Sequence, residues 1–103
     1  MRSSSGPMIP DRPLLVFFTS RRSGPARRME SLLAHIARKE RDTIVVKTVD
    51  VDERPDLVAK LGISQVPALA LVIGKRVVAR LEGRATAPKI ESMLEEQLDR
   101  AAA

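Results

Sequence analysis

Four short stretches of the chain have the hydrophobic pattern of β-strands. Residues 14–18 form a continuous apolar run, which is typical of a strand buried on both faces of its sheet. Residues 43–51 are rich in β-branched side chains and predict a second strand. Two more strands are predicted over 68–73 and 77–81, and the short polar connection between them indicates a hairpin.

Three other stretches repeat apolar residues at helical spacing. The first begins near Pro25, with Ser23 as its predicted N-cap, and ends near 41–42. A short helix over 56–61 and a last helix over about 86–100 complete the pattern. The order β-α-β-α-β-β-α predicts an α/β fold with a mixed four-stranded sheet and helices on both faces.

Length and composition indicate one globular domain. The chain has 103 residues, of which 44% are hydrophobic and 30% charged. We expect the domain to span residues 14–100 and residues 1–13, which are rich in Ser, Pro and Gly, to form a flexible tail. Because no apolar run approaches the roughly 20 residues needed to cross a bilayer, and the N-terminus lacks the apolar segment of a signal peptide, a cytoplasmic protein is expected.

Positive charge is concentrated at the start of the first predicted helix. The net charge is +5, and Arg21, Arg22, Arg27 and Arg28 precede the next acidic residue, Glu30. A helix N-terminus carries free N–H groups and the positive end of the helix dipole, so this cluster is a candidate anion-binding site. The alternative is that these arginines are only a solvated face of the helix.

The residue types present limit the possible chemistry. The chain contains no cysteine, and Phe17 and Phe18 are its only aromatic residues, so stacking surfaces for single-stranded nucleic acid are absent. His35, the only histidine, has no companions at metal-ligand spacing, and Ser23 lacks a Ser/His/Asp arrangement. We therefore predict no catalytic residue, no metal and no cofactor.

Four features, taken in order, carry a resemblance to a known family. Ser23–Ala26 reads Ser-Gly-Pro-Ala between the first strand and helix, where thioredoxins have Cys-Gly-Pro-Cys. Asp50 ends the second strand, Gly62-Ile63 followed by Val66-Pro67 precedes the third, and Gly83 follows the fourth. From about 14 to 98 the chain resembles the thioredoxin family. The resemblance implies that the family's N-terminal helix and strand are shortened here to an unpatterned tail, and both motif cysteines are absent.

The resemblance implies a groove for an extended peptide. In thioredoxins a cis bond before the proline matching Pro67 presents backbone to the bound chain, which gives strand-like pairing. The alternative is that this turn serves only to enter the third strand. The groove residues implied here are Arg22, Ser23, Gly24, Pro25, Ala26, Val66, Pro67 and Gly83.

The positions at which this chain differs from the family include those of the family's redox site. Catalysis in thioredoxins needs a low-pKa thiolate and a second, resolving thiol. Both are absent here, the family's tryptophan before the motif is Arg22, and its buried acid and accompanying lysine are Phe17 and Thr48. Natural divergence explains this set better than replacement of two native cysteines, which is the alternative.

Three functional hypotheses follow. The leading one is a redox-inactive thioredoxin-like module that binds a protein or peptide, with the arginines favouring an acidic segment. The second is electrostatic binding of nucleic acid or another polyanion, with a steep salt dependence. The third is a disulfide oxidoreductase whose cysteines were lost or replaced. The sequence indicates no partner identity and no oligomeric state.

Overall fold

The computed structural model describes residues 12–102 of the chain. Within this part the order is β-α-β-α-β-β-α, as predicted, and residues 1–11 of the predicted tail lie outside the described residues. The elements are β1 (Leu14–Thr19), α1 (Gly24–Lys39), β2 (Val45–Asp50), α2 (Pro55–Lys60), β3 (Ala68–Ile73), β4 (Arg76–Glu82) and α3 (Ala87–Ala102).

The four strands form one mixed sheet in the order β2-β1-β3-β4. β1 pairs in parallel with β2, whereas β3 is antiparallel to both β1 and β4. Phe18 lies opposite Ala68, and Ala68 lies opposite Glu82. The carboxyl ends of β1, β2 and β4 therefore share one edge of the sheet with the amino end of β3. The sequence prediction of a mixed four-stranded sheet is confirmed.

Alternating residues of β1 supply the cores on both faces of the sheet. Leu15 and Phe17 pack into a cluster with buried side chains of α1 and α3. Val16 and Phe18 point the other way, into a second cluster that includes partly buried residues of α2. Successive strand residues face opposite sides, so a strand covered on both sides has to be apolar throughout. Helices on both faces were predicted and are confirmed.

The junction between α1 and β2 differs from the sequence prediction. α1 ends at Lys39 and β2 begins at Val45, two residues later than the predicted strand start at 43. The carbonyl of Glu40 accepts hydrogen bonds from the N–H groups of Thr43 (2.8 Å) and Ile44 (2.9 Å), so these residues form a turn. Ile44 is buried in the α1/α3 core. Its β-branched side chain therefore reflects core packing rather than strand pairing.

Candidate functional site

The residues implied by the family resemblance lie at one edge of the sheet. The segment from Arg22 to Ala26, here called the motif loop, joins β1 to the first turn of α1. Val66 and Pro67 precede β3, and Gly83 follows β4. The backbone N–H of Gly83 donates to the carbonyl of Pro67 at 2.7 Å. Neighbouring strand ends thus bring together three segments that are far apart in the sequence.

Ser23 is the N-cap of α1, as its position predicted. Its hydroxyl oxygen accepts a hydrogen bond from the N–H of Ala26 at 3.1 Å, and its carbonyl accepts from Arg27 at 3.1 Å. Ala26 is fully buried. Within residues 12–102 no histidine or carboxylate hydrogen-bonds to the Ser23 hydroxyl, so no described base activates it as a nucleophile. The Ser23 side chain, at the first motif position, therefore caps α1.

Val66 and Pro67 lie in the segment that leads into β3. The peptide bond between them is cis, Pro67 is buried and Val66 is half-buried. Val66 lies outside helices and strands, and its N–H and C=O form no hydrogen bond with another described residue. These two polar groups are available to an added strand.

Glu82 holds the loop in front of Val66. Its Oε1 atom accepts hydrogen bonds from the N–H and the hydroxyl of Ser64, both at 2.7 Å, and from the N–H of Gln65 at 3.1 Å. The hydroxyl bond from Ser64, followed by the backbone bonds, lowers the pKa of the Glu82 carboxyl below its ordinary value. Sequence analysis missed this residue, although its place directly before Gly83 was a usable signal.

Gly83 leaves open space directly after β4. Its φ of +91° lies in the left-handed region that side chains rarely adopt, and a Cβ built there would meet no atom within 4 Å. Glycine therefore satisfies the backbone conformation and keeps this surface free of a side chain.

Behind the motif loop, the positions of the family's acid and lysine are occupied by Phe17 and Thr48. The two residues lie opposite each other in the β1–β2 register. Phe17 is fully buried in the α1/α3 core, whereas Thr48 is exposed. Neither side chain titrates near neutral pH, so this pair cannot supply the proton transfer that the acid and lysine would provide.

The four arginines predicted to bind an anion do not form one uniform surface. Arg21 makes ion pairs with Asp50 (4.0 Å) and Glu53 (3.7 Å). Arg27 lies on the same flank of α1, where positive and negative side chains alternate. A pocket of about 420 Å³ on this flank is lined by Thr19, Arg21, Arg27, Glu30 and Asp50.

Arg28 lies on the other flank, beside an arginine that sequence analysis missed. There Arg28 and Arg84 line a second pocket, of about 480 Å³, together with mostly apolar residues. Among residues 12–102, neither arginine forms an ion pair, and the same holds for Arg22. Arg28 also lines a pocket of about 380 Å³ with Gly24, Arg27 and Glu30, so it borders both flanks. The pocket that it shares with Arg84 has no acidic residue in its described lining. Arg84 directly follows Gly83, and that proximity was its only signal in the sequence.

Metal binding and membrane insertion find no support in the described residues. Between 12 and 102, no three His, Cys, Asp or Glu side chains are grouped closely enough to hold a metal ion. No helix of this part of the chain has both the length and the apolar character needed to span a bilayer.

Comparisons with known proteins agree with the fold. The family model described as Thioredoxin matches residues 8–96. A thioredoxin of Alicyclobacillus acidocaldarius is 34% identical over 85% of this chain and 84% of its own length. A thioredoxin-like protein of Synechocystis is 35% identical over 85% and 81%. The crystal structure of the germline-specific thioredoxin Deadhead of Drosophila melanogaster superposes with a TM-score of 0.77 at 27% identity, covering 84% of this chain and 81% of that one.

Proposed function

Because the chain belongs to the thioredoxin family, we propose that it is a redox-inactive member that binds a protein or peptide. The binding site is the proline groove, formed by the motif loop with Val66, Pro67 and Gly83. Without a cysteine the chain cannot form a mixed disulfide or resolve one. What remains of the family's site is the surface that contacts an extended chain.

The free backbone of Val66 is the observation that carries this proposal. Its N–H and C=O lack partners among the described residues, while Glu82 holds the preceding loop through three hydrogen bonds. A preorganised, unpaired backbone segment lowers the entropic cost of pairing with a peptide strand. The open space above Gly83 leaves room for that strand.

A comparison of two Val66 variants tests the groove. Val66→Asp places a carboxylate in a half-buried position beside the backbone groups that would pair with the peptide, and Val66→Ile keeps an apolar, β-branched side chain as the matched control. Partner capture from a lysate of the source organism, with and without nuclease, identifies candidate proteins, and each is then purified for affinity measurements. We expect Val66→Asp to weaken binding at least tenfold and Val66→Ile to change it less than about threefold.

Other outcomes would refute the proposal. If Val66→Asp binds the purified partner like the wild type while circular dichroism shows an intact fold, the groove is not the binding site. Capture that disappears with nuclease, and also when Arg21, Arg22, Arg27 and Arg28 are changed to Ala, would indicate a polyanion binder instead. A separate test addresses the third hypothesis: the absence of disulfide reductase activity in a Ser23→Cys/Ala26→Cys variant would count against recent loss of the cysteines.

A further inference from the structure

A pocket beside the proline groove has an apolar floor. We call it the lateral pocket; its volume is about 480 Å³. Pro25, Met29 and Leu32 follow one another at helical i, i+4, i+7 spacing and so line one side of α1. Met29 is buried, and Pro25, Leu32 and Ala85 are half-buried. The complete lining is Pro25, Arg28, Met29, Leu32, Arg84, Ala85 and Thr86.

Two exposed arginines supply all the charge of this lining. Arg28 and Arg84 form no ion pair within residues 12–102, and no acidic side chain lines the pocket. The Arg28 guanidinium lies against the start of α1, where a Cβ on Gly24 would be 3.4 Å from its Nη1 atom. On the opposite flank, Glu30 and Asp50 accompany the arginines. Glu30 approaches Arg28 only from the neighbouring pocket that the two share with Gly24 and Arg27, so the lining of the lateral pocket itself carries two positive charges and no described negative one.

From these features we propose that the lateral pocket binds an apolar side chain of an acidic peptide, whose carboxylates pair with Arg28 and Arg84. Guanidinium groups bind carboxylates through paired, charge-assisted hydrogen bonds, and the floor between them removes apolar surface from water. This inference rests on the proposed function, since the same peptide would also occupy the proline groove. Gly83 and Arg84 are adjacent residues with Cα atoms about 3.8 Å apart, so one extended segment can contact both sites.

The lining favours a peptide over a nucleic acid. Single-stranded nucleic acids depend on stacking of their bases on aromatic side chains. Both aromatic residues of this chain, Phe17 and Phe18, are fully buried in the sheet. The lateral pocket offers aliphatic contact and two guanidiniums, which suit leucine-like side chains and carboxylates.

Defined peptides test this assignment. A fluorescein-labelled library of ten-residue peptides, each with a central Leu and flanking Glu and Asp, is screened by fluorescence anisotropy. The best binder is remade with Gln and Asn for its acids, and again with Ser for its Leu. We expect each change to weaken binding about tenfold or more. A single-stranded oligonucleotide of equal charge serves as the polyanion probe and is expected to bind at least tenfold more weakly.

Protein variants locate the binding. Arg28→Gln and Arg84→Gln are each expected to weaken peptide binding about tenfold. Arg27→Gln makes the same charge change at a residue that does not line the lateral pocket, and is expected to alter affinity less than about threefold. Equal losses in all three variants, or equal binding of the oligonucleotide, would overturn the proposal.

The Val66→Asp variant separates this proposal from the proposed function. If the peptide is lost with Val66→Asp but unaffected by Arg28→Gln and Arg84→Gln, the lateral pocket is excluded and the groove stands. If the two arginine variants lose binding and Val66→Asp does not, the pocket binds peptide and the groove fails.

Discussion

Ser23→Ala removes the side chain that caps α1 at its first turn. The helix begins without an acidic residue in that turn, so no carboxylate compensates for the lost hydroxyl. Pro25 has no N–H, and the N–H of Arg27 already bonds to the Ser23 carbonyl at 3.1 Å. At this end of the helix only the N–H groups of Gly24 and Ala26 still need an acceptor. The Ser23 hydroxyl accepts a hydrogen bond from the N–H of Ala26 at 3.1 Å.

We expect Ser23→Ala to lower the free energy of unfolding by the contribution of one helix cap. Replacing a serine N-cap by alanine lowers the free energy of unfolding by about 1 kcal/mol, within a range of about 0.5–2. Since Ala26 is fully buried, water cannot readily replace the hydroxyl at its N–H. We therefore expect a value near the middle of that range, which for a domain of this size lowers Tm by about 4–8 °C.

Urea and thermal unfolding followed by far-UV circular dichroism measure the effect, because the chain lacks Trp and Tyr for intrinsic fluorescence. Ser23→Asp is the matched control: it keeps an oxygen acceptor at the N-cap and adds a negative charge at the positive end of the helix. We expect its Tm to equal or exceed that of the wild type.

Two results would contradict this reasoning. If Ser23→Ala unfolds at the wild-type Tm, the hydroxyl does not cap the helix in solution. If Ser23→Asp is destabilised as much as Ser23→Ala, the effect comes from disturbing the loop rather than from the lost acceptor.

Three further perturbations follow from the same structure. Arg28→Glu removes a positive charge near the start of α1 and places a carboxylate near Arg84, so stability should rise by about 0.3–1 kcal/mol; an unchanged or lower Tm would contradict this. Glu82→Gln should speed hydrogen exchange of the two loop amides that bond to the carboxylate. Equal exchange of these amides in both proteins at neutral pH would refute the role of the carboxylate. Because the folded-state pKa of Glu82 is lowered, the stabilisation by its carboxylate is present above the unfolded-state pKa of about 4.3 and is lost as pH falls through the folded-state value. Gly62→Ala, at φ +70° with its Cβ position 2.6 Å from an Arg80 guanidinium nitrogen, should cost about 1–2 kcal/mol by urea unfolding, and a neutral result would show that the left-handed turn relaxes.

The order of elements was readable from the sequence because it depends on short-range patterns. Strand-length apolar runs, helical spacing in α1 and the Ser23 cap each involve residues only a few positions apart. The turn after α1 was the exception: Thr43 and Ile44 have strand-like side chains but bond to the Glu40 carbonyl. Local composition could not distinguish a buried turn residue from a strand residue.

The family resemblance predicted where the motif loop, Val66, Pro67 and Gly83 lie. The topology of the sheet explains why these segments meet. Parallel and antiparallel pairing put the ends of β1, β3 and β4 at one edge. The absence of thiol chemistry was settled by the sequence alone, because a chain without cysteine has none in any fold.

Charge balance at the site was decided only by the tertiary structure. In the sequence Arg21 and Arg28 belong to one basic cluster, yet folding pairs Arg21 with Asp50 and Glu53 and places Arg28 beside Arg84. The Glu82 carboxylate likewise accepts hydrogen bonds from a loop nearly twenty residues earlier in the sequence. Ion pairs and hydrogen bonds act over a few ångströms in space. Which charges remain unpaired therefore depends on how distant segments pack, and local sequence patterns do not predict that packing.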